Sequence, residues 1–500
     1  MSRWQRLEQV AGSLPWLLCA YFLAHIVIRV FISPNLGKDE AEQVLMAQEL
    51  AWGYGPQPPL YTWLASGVFA LFGQGIFALT LLKNVLLGAT YLLTFATAWR
   101  ISKDRVVAAV AALSLLLLPQ IAWESQRDLT HSVLVLFAAA LFTYAMLRVL
   151  EEGRLWSYAL LGGAFSIGVL AKYNFPIMAV ALLGAALSMA PFRARILTPR
   201  FLLSAAIAGL LLWRPLLWAF ENTGPSLRQT GKLILNRTDS LLVNYASGLS
   251  ALLVATLAFL GPMLVIYGVL LFRSKRGRTP GDSERSYVTL LFRSLVLALA
   301  ASAVLVMAFE VTKVKDRWMQ PLLYAAPIVA ALWSSRYLTP ARIAALLGIA
   351  ALCAATVLVM LPVRTVVAPA FGRTNPLNAP FPELARQIRA AGFERGGIIA
   401  AFNLLGGNLR FRFPQSPVVT QEYPNFALPE GGPYLVVWDA TADPRIPQKV
   451  TRLFERRTGR TLPEETQRYT DAPMLYSTRE RMKLGFIIVP QLRTDAGIAR

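Results

Sequence analysis

The chain has 500 residues, of which 55% are apolar and only 15% are charged, and its mean hydropathy is +0.49. Soluble domains carry about 25% charged residues, so this composition excludes an ordinary soluble enzyme and predicts a membrane protein. In such a protein a net charge of +21 comes mostly from basic cytoplasmic loops and from basic residues that contact anionic lipid. We therefore expect no nucleic acid among its partners.

Apolar segments long enough to cross a bilayer recur through the first 363 residues. A spanning helix needs about 20 mostly apolar residues. No small-residue cleavage pattern follows the first segment, so we expect a retained span rather than a signal peptide. The sequence predicts about eleven spans, at 12–32, 75–99, 106–123, 131–150, 156–171, 174–191, 201–219, 248–272, 288–309, 319–334 and 342–362.

The loops between these segments alternate in charge. Basic residues concentrate in the connections 100–105, 148–154, 193–200, 273–285 and 336–342. Acidic residues mark the opposite loops, at 36–64, 124–130, 221–244 and 310–317. Because Lys and Arg favour cytoplasmic loops, the N-terminus is predicted to be cytoplasmic. An odd number of spans then places the C-terminal part outside the cytoplasm.

The composition changes after Pro362, where apolar runs shrink to strand length. We therefore expect an all-helical transmembrane domain over 1–363 and an extracytoplasmic α/β domain over 364–500. A helix is predicted at 383–391, and strands are predicted at 397–401, 417–420, 434–438 and 484–489. Asp439 and Asp443 could form a catalytic pair after a strand, but we favour a turn before a helix at 447–457.

The first outer loop, from Leu36 to Leu64, combines carboxylates with a turn that contains three prolines. Acidic and apolar residues at helical spacing over 39–52 predict an amphipathic helix on the outer membrane surface. Its apolar side chains would be Val44, Leu45, Ala47 and Leu50. Prolines fix the backbone of the run 53–59, so the loop is held in place. An ordinary solvated acidic loop is the alternative.

Three further outer edges carry polar groups that a lipid-facing helix would not choose. Ionisable groups at spans usually mark functional cavities, whereas Lys and Arg that merely snorkel at helix ends are the alternative for each one. These groups are Arg127, Asp128 and His131 at the fourth span, Lys172, Tyr173 and Asn174 between two spans, and Lys313, Lys315, Asp316 and Arg317 before the tenth.

These motifs, in this order, resemble the GT-C fold glycosyltransferases of the protein O-mannosyltransferase and ArnT-like superfamily. The resemblance is closest to the bacterial branch of rhizobial lipopolysaccharide galacturonosyltransferases, the RgtA/B/C/D-like group, and covers about residues 10–335. It rests on Asp39-Glu40 after the first span, Pro58-Pro59-Leu60, Asp128, the sequence LAKYN at 170–174 and the sequence KDRWMQP at 315–321.

The resemblance implies an inverting glycosyltransferase at the periplasmic face of a bacterial inner membrane. Its donor would be a sugar on a polyprenyl phosphate, and its acceptor a hydroxyl of lipid A, core oligosaccharide or another glycolipid. Asp39 would be the catalytic base, and Glu40 would position the loop or the acceptor. The donor phosphate would be bound by Lys172, Lys313, Lys315 and Arg317. The remaining site residues would be Tyr54, Gln57, Arg127, Asp128, His131, Tyr173 and Asn174.

One motif departs from the superfamily pattern. The lipid A aminoarabinose transferases have a Glu-Lys pair directly before Pro-Pro-Leu, where this chain has Pro56-Gln57. This difference argues against aminoarabinose transfer and against a bound zinc ion. The sequence contains only two histidines and two cysteines, a poor set of metal ligands. We expect no obligatory metal or cofactor, with a divalent cation as the weaker alternative.

Two other classes of protein fit part of the pattern. A polyprenyl-linked sugar flippase or other transporter would also be helical with a charged cavity, but transporters favour inverted repeats and interrupted helices near the midplane. In this sequence the polar groups gather at one face. A structural or assembly protein of the envelope would explain neither the Asp39 loop nor the cation clusters.

The charge pattern of the loops predicts the orientation of the chain directly. A reporter fused after Arg500 should be active outside the cytoplasm, whereas a reporter inserted in the loop 273–285 should be active inside it. Enzymatic and fluorescent reporters that work on only one side of the membrane measure this, with immunoblots as the control for expression. The reverse pattern would overturn the assignment of the outer loops.

Overall fold

The computed structural model describes residues 2–224, 234, 237–273 and 281–491. Parts of the loops 221–244 and 273–285, and the last nine residues of the predicted C-terminal domain, lie outside this range. Most of the described chain is helical. The helices are Arg3–Ile32, Lys38–Met46, Leu60–Phe72, Ile76–Ser102, Arg105–Leu113, Pro119–Arg127, His131–Glu152, Leu155–Ala171, Phe175–Leu187, Ala190–Ile196, Phe201–Glu221, Leu241–Leu271, Asp282–Ala308, Met319–Leu322, Ala326–Ser334, Pro340–Pro362, Phe381–Ala390, Asn403–Arg412 and Gln448–Thr458.

Seven helices in the described part of the chain are long and apolar enough to cross a membrane. Two further segments each consist of a pair of helices bent at a short break. Arg105–Leu117 and Pro119–Arg127 meet at 59°, and Phe175–Leu187 and Ala190–Ile196 meet at 117°. If each bent pair is one span, the number rises to nine.

The predicted count of about eleven spans is therefore higher than the structure supports. The segment predicted at 156–171 is a helix of only 17 residues, Leu155–Ala171. The segment predicted at 319–334 is divided into two helices of 4 and 9 residues. Pro327 lies in the first turn of the second helix. Because proline has no backbone N–H, it cannot donate the hydrogen bond that would join this helix to the preceding turn.

The described residues form two compact units. The first unit comprises Met1–His25, Trp52–Tyr61 and Lys83–Val357, and the second comprises Ile26–Ala51, Thr62–Leu82 and Leu358–Arg500. The second unit thus joins residues 36–51 of the first outer loop to the C-terminal region, whereas residues 52–61 of that loop belong to the first unit. The predicted boundary at residue 363 separates a transmembrane domain from an extracytoplasmic domain, and this boundary stays a prediction.

A mixed five-stranded sheet forms the centre of the C-terminal region. Its strands are β1 (Gly397–Ala400), β2 (Val418–Val419), β3 (Tyr434–Asp439), β4 (Arg468–Pro473) and β5 (Arg481–Val489), in the order β2-β1-β3-β5-β4. The β1 strand pairs in parallel with β2 and β3, whereas β5 is antiparallel to β3 and β4. All four predicted strands lie in this sheet.

The alternation of side chains in β3 explains why helices cover both faces of the sheet. Leu435 and Val437 point to one face, where they pack in a core with Leu384 and Leu409 of two helices. Val436 and Trp438 point to the other face, where the core includes Phe454 of the helix Gln448–Thr458. The C-terminal region is therefore a three-layer α/β/α fold.

The helix Lys38–Met46 of the first outer loop packs against this α/β region. Leu45 is fully buried and belongs to the same core as Leu435 and Val437 of β3. At the closest approach, a Cβ atom added to Gly407 would lie 2.2 Å from the carbonyl oxygen of Ala41. The prediction of an amphipathic helix on the membrane surface is therefore wrong, because its apolar side packs on protein. The helix also ends at Met46, and Leu50 is exposed.

Candidate active site

A buried ion pair organises the first outer loop. The guanidinium of Arg29 contacts the Glu40 carboxylate at 2.5 and 3.2 Å, and both side chains are buried. Arg29 also donates to the carbonyl oxygens of Ser33 and Asn35, at 3.3 and 2.7 Å. Glu40 accepts the backbone N–H of Gly37 at 2.7 Å. Both Glu40 oxygens are thus engaged within the loop, an arrangement that suits loop positioning better than contact with an acceptor.

The same loop is fixed to the C-terminal region by three polar side chains. Ser33 and Asn35 donate to the carbonyl oxygen of Leu377, at 2.6 and 3.0 Å. The Asn408 side chain accepts the N–H of Leu36 at 2.9 Å and donates to its carbonyl oxygen at 3.2 Å. Because buried backbone groups need such partners, these bonds determine where the following helix starts.

Asp39 lies in the first turn of that helix and is half-buried. Glu42, one turn later, lies on the same helix face. The Tyr423 hydroxyl donates to Oε1 of Glu42 at 2.6 Å. Burial raises the pKa of Tyr423 well above its ordinary value, and the negative charges of Glu42 and Asp39 add to this effect. Tyr423 is therefore a permanent hydrogen-bond donor beside the two carboxylates.

Lys172 belongs to a polar cluster in the first unit. Its ammonium donates to the hydroxyl of Ser132 at 2.9 Å. The neighbouring His131 begins the helix His131–Glu152 and is buried, and its ring lies 5.5 Å from the ring of Tyr61. The structure therefore brings together two residues predicted from separate motifs, Lys172 and His131, and adds Tyr61 and Ser132.

A hydrogen bond joins the segment 313–320 to the residues around Lys172. Asn174 donates from Nδ2 to the carbonyl oxygen of Trp318 at 3.2 Å. Asp316 accepts from the Gln120 side chain at 2.8 Å and from the N–H of Arg317 at 2.8 Å. Lys315 and Arg317 are half-buried, whereas Lys313 is exposed. Asp316 thus orders this segment.

The other predicted site residues of the first unit lie at local turns. Arg127 pairs with Glu124 at 2.5 Å, one helical turn away, and Asp128 ends that helix. The N–H of Tyr54 donates to the carbonyl oxygen of Gln57 at 3.1 Å. This bond closes the proline-rich turn, and Tyr54 itself is buried. Tyr173 is exposed.

The predicted base and the predicted phosphate ligands belong to different compact units. Asp39 and Glu40 lie in the second unit, and every predicted phosphate ligand lies in the first. Their meeting at one reaction centre stays a prediction.

Some functional candidates were absent from the sequence prediction. Arg29 could have been found, because a cation inside an apolar segment usually has a specific role. Tyr423 and Asn408 gave no local signal, since they contact a loop more than 370 residues away.

Neither a metal centre nor a carboxylate pair in the sheet region emerges from the described residues. No group of three or more His, Cys, Asp or Glu side chains there could hold a metal ion. Asp439 and Asp443 each accept a backbone N–H two residues later, at 2.8 and 3.0 Å. Asp439 is the last residue of β3 and Asp443 lies in the loop that follows, where the adjacent Arg445 lowers the pKa of the exposed Asp443 carboxyl.

Three kinds of comparison with known proteins agree. Residues 56–218 match the family model for dolichyl-phosphate-mannose-protein mannosyltransferase. The chain is 34% identical to the lipopolysaccharide core galacturonosyltransferase RgtB of Rhizobium johnstonii, over 95% of this chain and 97% of that protein. It is 35% identical to RgtA of the same organism, over 84% of this chain and 85% of the relative.

A solved structure shows the same fold. ArnT from Cupriavidus metallidurans, bound to undecaprenyl phosphate, superimposes with a TM-score of 0.58. The match covers 94% of this chain and 97% of ArnT, at 13% sequence identity. At this low identity the similarity establishes the fold alone.

The Arg29–Glu40 pair generates a stability prediction. Arg29→Met should lower the thermal unfolding midpoint, because it leaves a carboxylate buried without its cation, a loss of about 3–5 kcal/mol. The double variant Arg29→Met with Glu40→Gln should recover part of this loss. Arg127→Met, which removes a more exposed pair with Glu124, is the matched control and should change the midpoint less. Equal effects of the Arg29 and Arg127 variants would contradict the assignment.

Proposed function

Because the chain belongs to the family of membrane glycosyltransferases that includes the lipopolysaccharide core galacturonosyltransferases RgtA and RgtB, we propose that it glycosylates the lipopolysaccharide core. The transferred sugar is a galacturonosyl group, as in the names of these relatives. The observation that carries the proposal is the identity of 34% along 95% of this chain and 97% of RgtB.

The proposed donor is a sugar linked to a polyprenyl phosphate. In support, the structurally similar ArnT was solved with undecaprenyl phosphate bound, and several cations occur in the first unit of this chain. The reaction is a single displacement. The acceptor hydroxyl oxygen attacks the anomeric carbon, the bond from that carbon to the phosphate oxygen breaks, and the lipid phosphate leaves with the bonding electrons. The configuration at the anomeric carbon is inverted.

Asp39 is the proposed general base. It takes the proton of the acceptor hydroxyl as the new glycosidic bond forms. Glu40 is engaged with Arg29 and Gly37, so it serves as a positioning residue. Tyr423 holds Glu42 on the Asp39 face of the helix. One carboxylate is sufficient, because a phosphate leaves without the general acid that two-carboxylate glycoside hydrolases need.

The leaving phosphate gains negative charge as its bond to the sugar breaks. Lys172, Lys315 and Arg317 are the proposed groups that neutralise it, and the bond between Asn174 and Trp318 links their two segments. The half-buried positions of these cations strengthen their effect, because electrostatic interactions weaken in water. Lys313 is exposed and would contribute less.

The proposed reaction takes place on the periplasmic side of the inner membrane. The basic connections 100–105 and 148–154 support a cytoplasmic position for the opposite face. Core lipopolysaccharide presented at the outer face of this membrane is then the acceptor.

Asp39→Asn should abolish transfer while leaving donor binding intact. The amide keeps the shape of the side chain but cannot accept the acceptor proton, so the rate should fall at least about 100-fold. The assay combines purified protein, synthetic polyprenyl-phosphate galacturonate and core lipopolysaccharide, with mass spectrometry of the product. Glu49→Gln, an exposed carboxylate a few residues away, is the control. Turnover by Asp39→Asn at the wild-type rate would remove Asp39 from the mechanism.

The cation cluster separates a transferase from a flippase. Ala substitution of Lys172, Lys315 or Arg317 should weaken donor use, and the Lys315/Arg317 double variant should lose more than either single variant. Transfer should proceed in detergent, where no membrane gradient exists. Lys449→Ala, at an exposed site, is the control. A protein that moves the donor across vesicles but never forms a glycosidic bond would be a carrier instead.

A further inference from the structure

Two buried ionisable side chains occur inside the apolar helices Arg3–Ile32 and Ile76–Ser102 and take no part in the proposed mechanism. Lys83 is only 3% exposed, and His25 is completely buried. Neither ring nitrogen of His25 has a hydrogen-bond partner within the described part of the chain. Lys83 forms no hydrogen bond or ion pair with another described residue. The two side chains therefore carry unused hydrogen-bonding capacity in an apolar setting.

The two helices pack against each other near these side chains. The Phe22 ring lies 5.4 Å from the ring of Tyr91 and in contact range of Gly88. Three residues after Phe22 is His25, and five residues before Gly88 is Lys83. These steps place His25 about one turn beyond Phe22 and Lys83 about one and a half turns before Gly88, and the charge of Lys83 reaches His25.

No carboxylate of the described residues forms an ion pair with this ammonium. A buried charge is normally paired, because its removal from water is costly, as Arg29 is paired with Glu40. The adjacent Asn84 uses its side-chain oxygen to accept from Gln126 at 2.9 Å. An anion from outside the chain would satisfy it.

We infer that Lys83 and His25 bind an anionic oxygen group of the lipid-linked donor, either its phosphate or the carboxylate of a uronic acid sugar. This inference rests on the proposed function. An ammonium is a compact point charge that suits either group, and an imidazole supplies one further N–H donor. His25 lies seven residues before Ile32, and Lys83 lies seven residues after Ile76. At about 1.5 Å per residue, each is about 10 Å from that end of its helix. This depth is compatible with a lipid headgroup at the membrane edge.

Lys83→Met distinguishes a ligand site from a structural lysine. Without ligand, the variant should unfold at the same temperature as wild type or higher, because an uncompensated buried charge has been removed. Its affinity for polyprenyl phosphate should fall at least tenfold, whereas its affinity for uncharged polyprenol should be unchanged. Ligand-induced shifts of the unfolding midpoint measure both affinities. Lys83→Arg should keep most of the phosphate affinity, and Lys103→Met, at an exposed site beyond the same helix, is the control.

The choice of ligand identifies the bound group. A loss of affinity for unglycosylated polyprenyl phosphate assigns Lys83 to the phosphate. A loss seen only with polyprenyl-phosphate galacturonate, and not with a neutral hexose in its place, assigns Lys83 to the sugar carboxylate. If Lys83→Met binds all three lipids like wild type, the inference is overturned. Should Lys83→Met fail to fold, Lys83→Gln decides by the same comparison.

The wild-type protein separates this inference from the proposed function. Transfer of galacturonate to core lipopolysaccharide is measured with the same donor preparation. If wild type binds polyprenyl phosphate through Lys83 but transfers no sugar to any core acceptor, the proposed function fails and the anion site remains. If wild type transfers sugar and Lys83→Met binds every donor normally, the function remains and the anion site fails.

Discussion

The buried pair of Arg29 and Glu40 is the interaction on which the first outer loop depends. Arg29 is at the end of an apolar helix, where an uncompensated cation would be costly. Glu40 neutralises it, and the same guanidinium donates hydrogen bonds to two backbone carbonyl oxygens. One ion pair therefore fixes the start of the helix Lys38–Met46. Asp39 lies beside Glu40 in that first turn, so its position follows from the pair.

The C-terminal α/β region has a second role beyond its own fold. It covers the apolar side of the helix Lys38–Met46, and it supplies Asn408 to the loop and Tyr423 to Glu42. The close approach at Gly407 leaves no room for a side chain there. The carboxylates of the first loop are thus held by a region that follows them by more than 350 residues, which makes this region part of the candidate active site rather than an appendage.

The sequence predicted those features that depend on local pattern. Hydropathy located the long helices, short apolar runs of strand length located four strands, and the resemblance to known glycosyltransferases named the family that the comparisons then established. Features that depend on distant contacts escaped it. The apolar face of residues 44–46 looks the same whether lipid or protein covers it, and β4 was missed because four of its six residues are exposed. Tyr423 has no motif of its own.

Pairing divides the charged residues of this chain into two groups. Arg29, Arg100 and Arg148 each contact a carboxylate of the protein, and such pairs stabilise the fold without needing a ligand. Lys83 is as buried as Arg29, but it has no carboxylate among the described residues. Since the folded chain bears the cost of that charge at all times, a compensating anion is expected to arrive with the substrate. Unpaired buried charge is therefore a more specific sign of function in this protein than charge at a helix end.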